Sequence, residues 1–342
     1  MADSIIIAAA RSLNQQGDLQ AVTRLIQDAE SLGKRCITLT IDNLKTPWNS
    51  PVEHHHFRSG CGPLEALSVA NRLIQDGDAD LVVIHGKDFI KSDYSQAERH
   101  EKMSIYSELS MPEAYTLLAR HFCEQQGLTQ AAFIQLRNAI FENLKQTGEQ
   151  QKLKLPAESW YQPLTELFRG VDCANPVIDF EGLLVVSHQD SDLLPQIEPV
   201  AIKGVGIGIA EYDGPEHARE LAHYHALEKA VHYAEIQSGM NVSELLKNPE
   251  TLTEAYTCYP VVPLALLMVA GSIQSEDALM QWLNQKPLTC TGGMNLARAP
   301  WNNPALNGLI AVCESLQNNK QDALVHGNGG LGYKQGIALL GR

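Results

Sequence analysis

The strongest constraint on this chain is its last stretch, Pro287 to Arg342. It reads PLTCTGGMNLARAPWNNPALNGLIAVCESLQ and then DALVHGNGGLGYKQGIALL. Gly292-Gly293 opens a loop rich in Pro and Asn, a helix follows, and Gly329-Gly330 turns the chain between two apolar runs. Paired glycines permit left-handed backbone and close approach of the main chain to other groups. Short apolar runs bounded by such turns read as buried strands.

The rest of the sequence alternates in the same way. SIIIAA (Ser4–Ala9) and CITLTI (Cys36–Ile41) read as strands, with an amphipathic helix over Asp18–Leu32 between them. Gly60-Cys61-Gly62-Pro63 introduces a helix over Leu64–Asp76, and the strand Asp80–His85 follows. Proline belongs in the first turn of a helix, where a missing N–H costs nothing. Strand, helix and strand at this spacing make a parallel α/β unit. Lys91–Leu109 reads as polar and irregular, and two amphipathic helices follow over Pro112–Gln126 and Thr129–Thr147. After a strand at Gly182–Ser187, the Asp- and Pro-rich stretch Gln189–Pro199 marks a boundary. The second half opens on a strand at Val200–Gly204. It continues with a periodic helix over Pro215–Ser238, a helix from Pro263 and a short one from Ser275. The reading is therefore two α/β halves, residues 1–199 and 200–342, with residues 91–175 inserted in the first.

Composition excludes several classes. With 342 residues, 44% hydrophobic and 19% charged, the chain has length for about two domains and an ample core. A net charge of -14 leaves no basic footprint for nucleic acid. No apolar run approaches the roughly 20 residues that span a bilayer. Seven cysteines in an odd, scattered set without CxxC spacing point to a reducing cytoplasm, not to disulfides or zinc. Three further signals are weak. Gly204-Val205-Gly206-Ile207-Gly208 lacks the register of a nucleotide loop and any P-loop Lys. His54-His55-His56 has no carboxylate or Cys at ligand spacing, and His225 and His232 lie two turns apart on their helix, too far for one ion.

Several stretches, in order, resemble the thiolase superfamily. SGCGPLEALSVANRLIQDGDADLVVIHGKD is similar to its nucleophile segment, SMPEAYTLLARHFCEQQGLTQAAFIQLRNAIFENL to the loop-domain helices of sterol-carrier-type thiolases, and TEAYTCYP to its Asn-Glu-Ala-Phe or His-Asp-Cys-Phe motif. The likeness covers nearly the whole chain and is greatest to divergent thiolase-like proteins of the acetyl-CoA acetyltransferase kind. It implies a thiolase fold, α/β, with two similar halves stacked as α-β-α-β-α layers. It implies acyl transfer from a coenzyme A thioester, with no tightly bound cofactor. It also implies a homodimer joined through Asp80–His85, or pairing with another chain.

The family's chemistry needs an acyl-accepting thiolate, a base and an oxyanion hole. A cysteine at a helix N-terminus has its thiolate favoured by the dipole, and Cys61 fits that placement. Alignment through Ala66, however, puts Gly60 in the family's cysteine slot, so Cys61 reads either as nucleophile or as a buried thiol. The family's loop histidine is replaced in Arg298-Ala299-Pro300. His326 could take over as acid/base, or be a histidine bonded to a backbone carbonyl. Cys258 reads as a second thiol or as packing. Asn302 or Asn303 reads as an amide donor or as a helix cap. The turns Gly292-Gly293 and Gly329-Gly330 read as the oxyanion site, as tight turns required by the fold, or both. Acyl transfer through a cysteine and a non-catalytic binding or scaffold role are both open on these residues.

Overall fold

Among the described residues nine strands form a single sheet whose order is nearly mirrored, five strands of the first half beside four of the second. In a computed structural model that describes residues 4–298, 300–316 and 322–342, the first half supplies β1 (Ser4–Leu13), α1 (Gln20–Ser31), β2 (Cys36–Ile41), β3 (His56–Phe57), α2 (Gly62–Gln75) and β4 (Leu81–Phe89). An insertion follows with α3 (Gln96–Met103), α4 (Met111–Gln126) and α5 (Gln130–Gln150), and β5 (Asp179–His188) closes the half. The second half runs β6 (Val200–Ile209), α6 (Ala218–Leu221), α7 (His225–Ser238), α8 (Val242–Lys247), β7 (Leu252–Glu254), α9 (Val261–Ala265), α10 (Glu276–Gln285), α11 (Pro304–Leu316), β8 (Asp322–Gly329) and β9 (Lys334–Gly341).

The strand order is β3-β2-β4-β5-β1-β6-β9-β8-β7. In each half the opening strand pairs antiparallel with the closing one, β1 with β5 and β6 with β9. Each opening strand carries one bulge at the same place, Ile7 in β1 and Lys203 in β6. Among the described residues the half-sheets pair at two positions, Ile5 with Ala201 and Ile6 with Val200. Helices α2 and α11 touch each other and the strands of both halves, so they form the middle layer. Helix α1 covers β1 and β2, and α7 covers β6 and β9 from outside. The expected five-layer α-β-α-β-α arrangement is thus present.

The outer layer of the second half explains the glycine run that looked like a nucleotide loop. Gly204, Gly206 and Gly208 lie on one face of β6, since side chains alternate along a strand. A Cβ on each would run into the backbone of α7 at Ala234, Ala230 and Ala226 in turn. A step of two along a strand (~6.6 Å) nearly equals a step of four along a helix (~6.0 Å). Glycines on the strand and alanines on the helix therefore stay in register, and the two backbones pack close.

Three expectations change. The strand expected to join two copies, β4, is interior: β2 pairs with it on one side and β5 on the other. The periodic segment Pro215–Ser238 is not one helix but breaks before α7, where Tyr224 adopts φ 55°. The polar stretch after β4 contains α3, started by Ser95 and Glu98 in a capping box. Among the described residues no helix is long and apolar enough to cross a membrane, and no cluster of His, Cys, Asp and Glu could hold a metal ion.

The glycine register yields a stability test. Gly206→Ala places a methyl against the Ala230 carbonyl; urea unfolding is expected to show a loss of about 2 kcal/mol, the usual cost of overpacking.

Candidate functional site

The insertion and both halves enclose a cavity of about 240 Å³ at the N-terminal end of α2. Trp48, Gly60 and Asn302 line it from one side, Tyr256, Cys258, Tyr259 and Asn328 from another. The insertion adds Met103, Ile105, Met111 and Tyr115. Among the described residues no charged side chain lies on this wall. Trp48 and Trp301 meet edge-on at 6.3 Å, and Tyr115 stacks on Tyr259 at 4.1 Å.

The turn that leads into α2 decides what faces the cavity. Ser59 sits at φ 89°, a strained value for a residue with a side chain. Asn302 holds it there: its amide oxygen accepts from the Ser59 N–H at 3.1 Å, and its amide nitrogen donates to the Asp42 carbonyl at 2.9 Å. Gly60 then faces the cavity and Cys61 turns away. Cys61 is fully buried, with Sγ against Gly336 and its Cα against Gly327. Burial pushes its thiol well above the ordinary range, the neighbouring Glu65 carboxylate adds to this, and Lys334 only partly opposes it.

His326 is on the other face of the sheet. Side chains alternate along β8. Leu324 belongs to the core beneath α7 and α9, while Val325 packs with Cys61 between the half-sheets. His326 shares the Leu324 face, so the sheet lies between it and Cys61. It is buried, its Nε2 lies 2.8 Å from Gln335 Oε1, and its Nδ1 has no partner. Burial, only partly opposed by the bond to Gln335, pulls its pKa down to about 4. A hydrogen-bonded chain runs from it to the cavity. Gln335 donates to Asn328 at 2.6 Å, Asn328 donates to the Tyr115 hydroxyl at 3.1 Å, and Cys258 Sγ donates to the same hydroxyl at 3.4 Å.

Of the expected residues, Cys258, Asn302 and Gly330 share the cavity wall; Cys61 and His326 do not reach it. Burial pushes the Cys258 thiol up to about 12, although the Tyr115 bond works against this. The N–H groups of Gly292 and Gly293 are used within their own turn, by Thr289 and Thr291 hydroxyls at 3.0 and 3.3 Å. Both glycines have positive φ and pack on α5 through Gly148 and Leu144. Gly329 packs over Ser59, and the Gly330 carbonyl accepts from Tyr115 at 2.7 Å. Asn303 is buried against Gly86 with neither amide atom bonded. Glu254 is enclosed by the Cys290 and Thr291 N–H groups and the Thr291 hydroxyl, and burial pushes its carboxyl up to about 7. Ala299, in the slot of the loop histidine, lies outside the described residues.

Sequence reading missed Tyr256. A Cβ at Gly60 would overlap the Tyr256 hydroxyl, so this ring fills the place a side chain at position 60 would take. The signal was present as a pair: bulk lost at 60 and bulk gained at 256. Two clefts adjoin the cavity. One, of about 550 Å³, shares Met103 and Met111 with it and carries Arg99, His100 and Arg298. The other, of about 590 Å³, shares Trp48 and Ile105 and carries Glu108, Asp213 and Glu216. A larger cleft of about 920 Å³ lies elsewhere, between α2, β6 and α7, and holds none of the expected site residues.

No protein-family model matches the sequence, and no curated protein matches it. Solved structures do match. One is a monomeric SCP2-thiolase-like protein type 1 from Mycobacterium smegmatis, at TM-score 0.70 and 15% identity, covering 99% of this chain and 77% of that one. Another is the Ltp2-ChsH2(DUF35) aldolase, at TM-score 0.67 and 15% identity, covering 99% of this chain and 97% of that one. The chain therefore has a thiolase-like fold, and identity this low carries the fold alone.

The buried histidine sets a pH dependence. Its pKa of about 4 lies below the ordinary 6.5, so the unfolded chain binds the proton first. Stability is full above pH 6.5 and falls as pH drops towards 4, by about 3 kcal/mol in all. Glu254 titrates in an overlapping range, so the readout is a difference. The raised Glu254 carboxyl contributes the opposite sign, so the slope of stability against pH between 4 and 6.5 is expected to be less positive in His326→Met than in wild type, by up to one proton, measured by denaturant unfolding at each pH.

Proposed function

We propose that this chain binds the acyl end of a coenzyme A-type thioester in the cavity without forming an acyl-enzyme at Cys61. The observation that carries this reading is the pairing of Gly60 with Tyr256. The slot that would present a nucleophile from the start of α2 holds no side chain, and a phenol occupies its space. Among the described residues the wall offers no carboxylate, imidazole or ammonium group to move a proton. Apolar rings and thioethers with a few placed polar groups are instead what a small-molecule site needs.

Charge orients the ligand. The phosphates of a coenzyme A moiety suit the cleft bearing Arg99, His100 and Arg298 and are repelled by the one bearing Glu108, Asp213 and Glu216. Lys145, Lys152 and Lys154 of the insertion line neither cleft. The role is that of a thioester-binding or scaffold subunit, alone, as a homodimer or beside another chain. The aldolase with the same fold bears two names joined, Ltp2 and ChsH2, which supports pairing as one form this protein takes.

A second reading has one observation in its favour. Cys258 Sγ is on the cavity wall, within 4.0 Å of the Asn328 amide. Acyl transfer would then run through Cys258, once a bound ligand or partner lowered its pKa.

Incubation with acetyl-CoA separates these readings. The expected result is saturable binding by calorimetry, no acetyl adduct by intact mass, and binding weakened at least tenfold in Ala174→Phe, which fills the cavity. An adduct that maps to Cys258 would replace the first reading with the second. An adduct on Cys61, or no binding at all, would remove it.

A further inference from the structure

We propose that the Tyr256 hydroxyl selects the cavity's ligand, and that the ligand class is an uncharged acyl or keto group with one carbonyl oxygen on an otherwise apolar body. This rests on the reading of the cavity as a binding site.

The Tyr115 hydroxyl donates to the Gly330 carbonyl and accepts from Asn328 and Cys258. The Asn328 carbonyl oxygen is taken by Gln335, and both ends of the Asn302 amide are taken by Ser59 and Asp42. The Tyr259 hydroxyl is bonded to Cys173, and the Trp48 and Trp301 indoles are only half-buried. Among the buried groups of the wall Tyr256 is different. It is more than nine-tenths buried, yet among the described residues its hydroxyl makes no hydrogen bond. The Tyr224 hydroxyl is sealed away without a partner, whereas that of Tyr256 stays accessible from the cavity. A polar group buried without a partner is costly. A ligand acceptor that reaches it recovers that cost, and a ligand without one does not.

The remaining wall sets the rest of the class. With no charged side chain among the described residues facing the cavity, an ionised ligand group would go uncompensated. A cavity near 150 Å³ admits benzene, so one of about 240 Å³ takes a body of roughly ten heavy atoms. Burial holds the Tyr256 phenol well above its ordinary pKa, so it stays a neutral donor and the selection does not vary across neutral pH.

The test uses a matched pair of probes, acetophenone and ethylbenzene, which differ in the carbonyl oxygen. Wild-type protein, followed by NMR titration, is expected to bind the ketone about tenfold tighter, one net hydrogen bond. Tyr256→Phe should abolish that preference without weakening the hydrocarbon's binding and without lowering the melting temperature, since the hydroxyl holds no part of the protein. A preference that survives in Tyr256→Phe overturns the inference and leaves the binding reading standing. If neither probe binds wild-type protein, the binding reading falls and takes the inference with it.

Discussion

The contact on which the rest depends is the seat of α2 against the second half. Gly327 of β8 and Gly336 of β9 face each other across one register position, and Cys61 and Leu64 press into the gap they leave. A methyl at 327 would stand 3.2 Å from the Cys61 Cα, and one at 336 would stand 2.9 Å from its sulfur. Among the described residues two pairs join the half-sheets, and this helix and α11 add to the union between them. The same seat fixes the rotation of the first turn of α2. Once Cys61 fills the gap, Gly60 has to face the cavity.

Two consequences meet at the cavity. It has no cysteine on the helix that would make one reactive, and it has a neutral, tightly bonded lining. A chain of bonds runs from His326 through Gln335, Asn328 and Tyr115 to Cys258. Each member orients the next, which keeps Tyr115 stacked on Tyr259 and the wall in one shape. His326 serves that chain from beneath, in neutral form. The polarity gradient lies outside, with arginines on one flank of the cavity and carboxylates on the other.

Much of the fold was legible because hydrophobic period and turn residues are local signals. Cys36–Ile41 forms a strand with the bounds its apolar run gives, and α2 begins where Gly-Pro places it. What was not legible depended on side-chain direction or on tertiary context. Helix α3 has no buried residue, so no apolar stripe announces it. The break at Tyr224 is held by packing, since the residue itself does not favour φ 55°. The family likeness named segments that reach the cavity but could not aim their side chains. One residue of offset sends Cys61 to the core, and a period of two sends His326 to the far face of β8. Cys258 and Asn302 reach the wall, and Tyr256 was passed over because an aromatic in an apolar motif reads as core.

The nearly mirrored order of the strands puts a short strand at either end. The outermost strands are β3, which pairs over two residues, and β7, which pairs over three. Long bare edges invite another chain to continue a ladder, and such pairing is a route to aggregation. At those two strands a newcomer would gain two or three residues of backbone pairing. The longer opening lies beside β3, which covers only Thr40 and Ile41 of β2 and among the described residues leaves Cys36–Leu39 without a strand on that side; a second molecule that widened the sheet would find its ladder there.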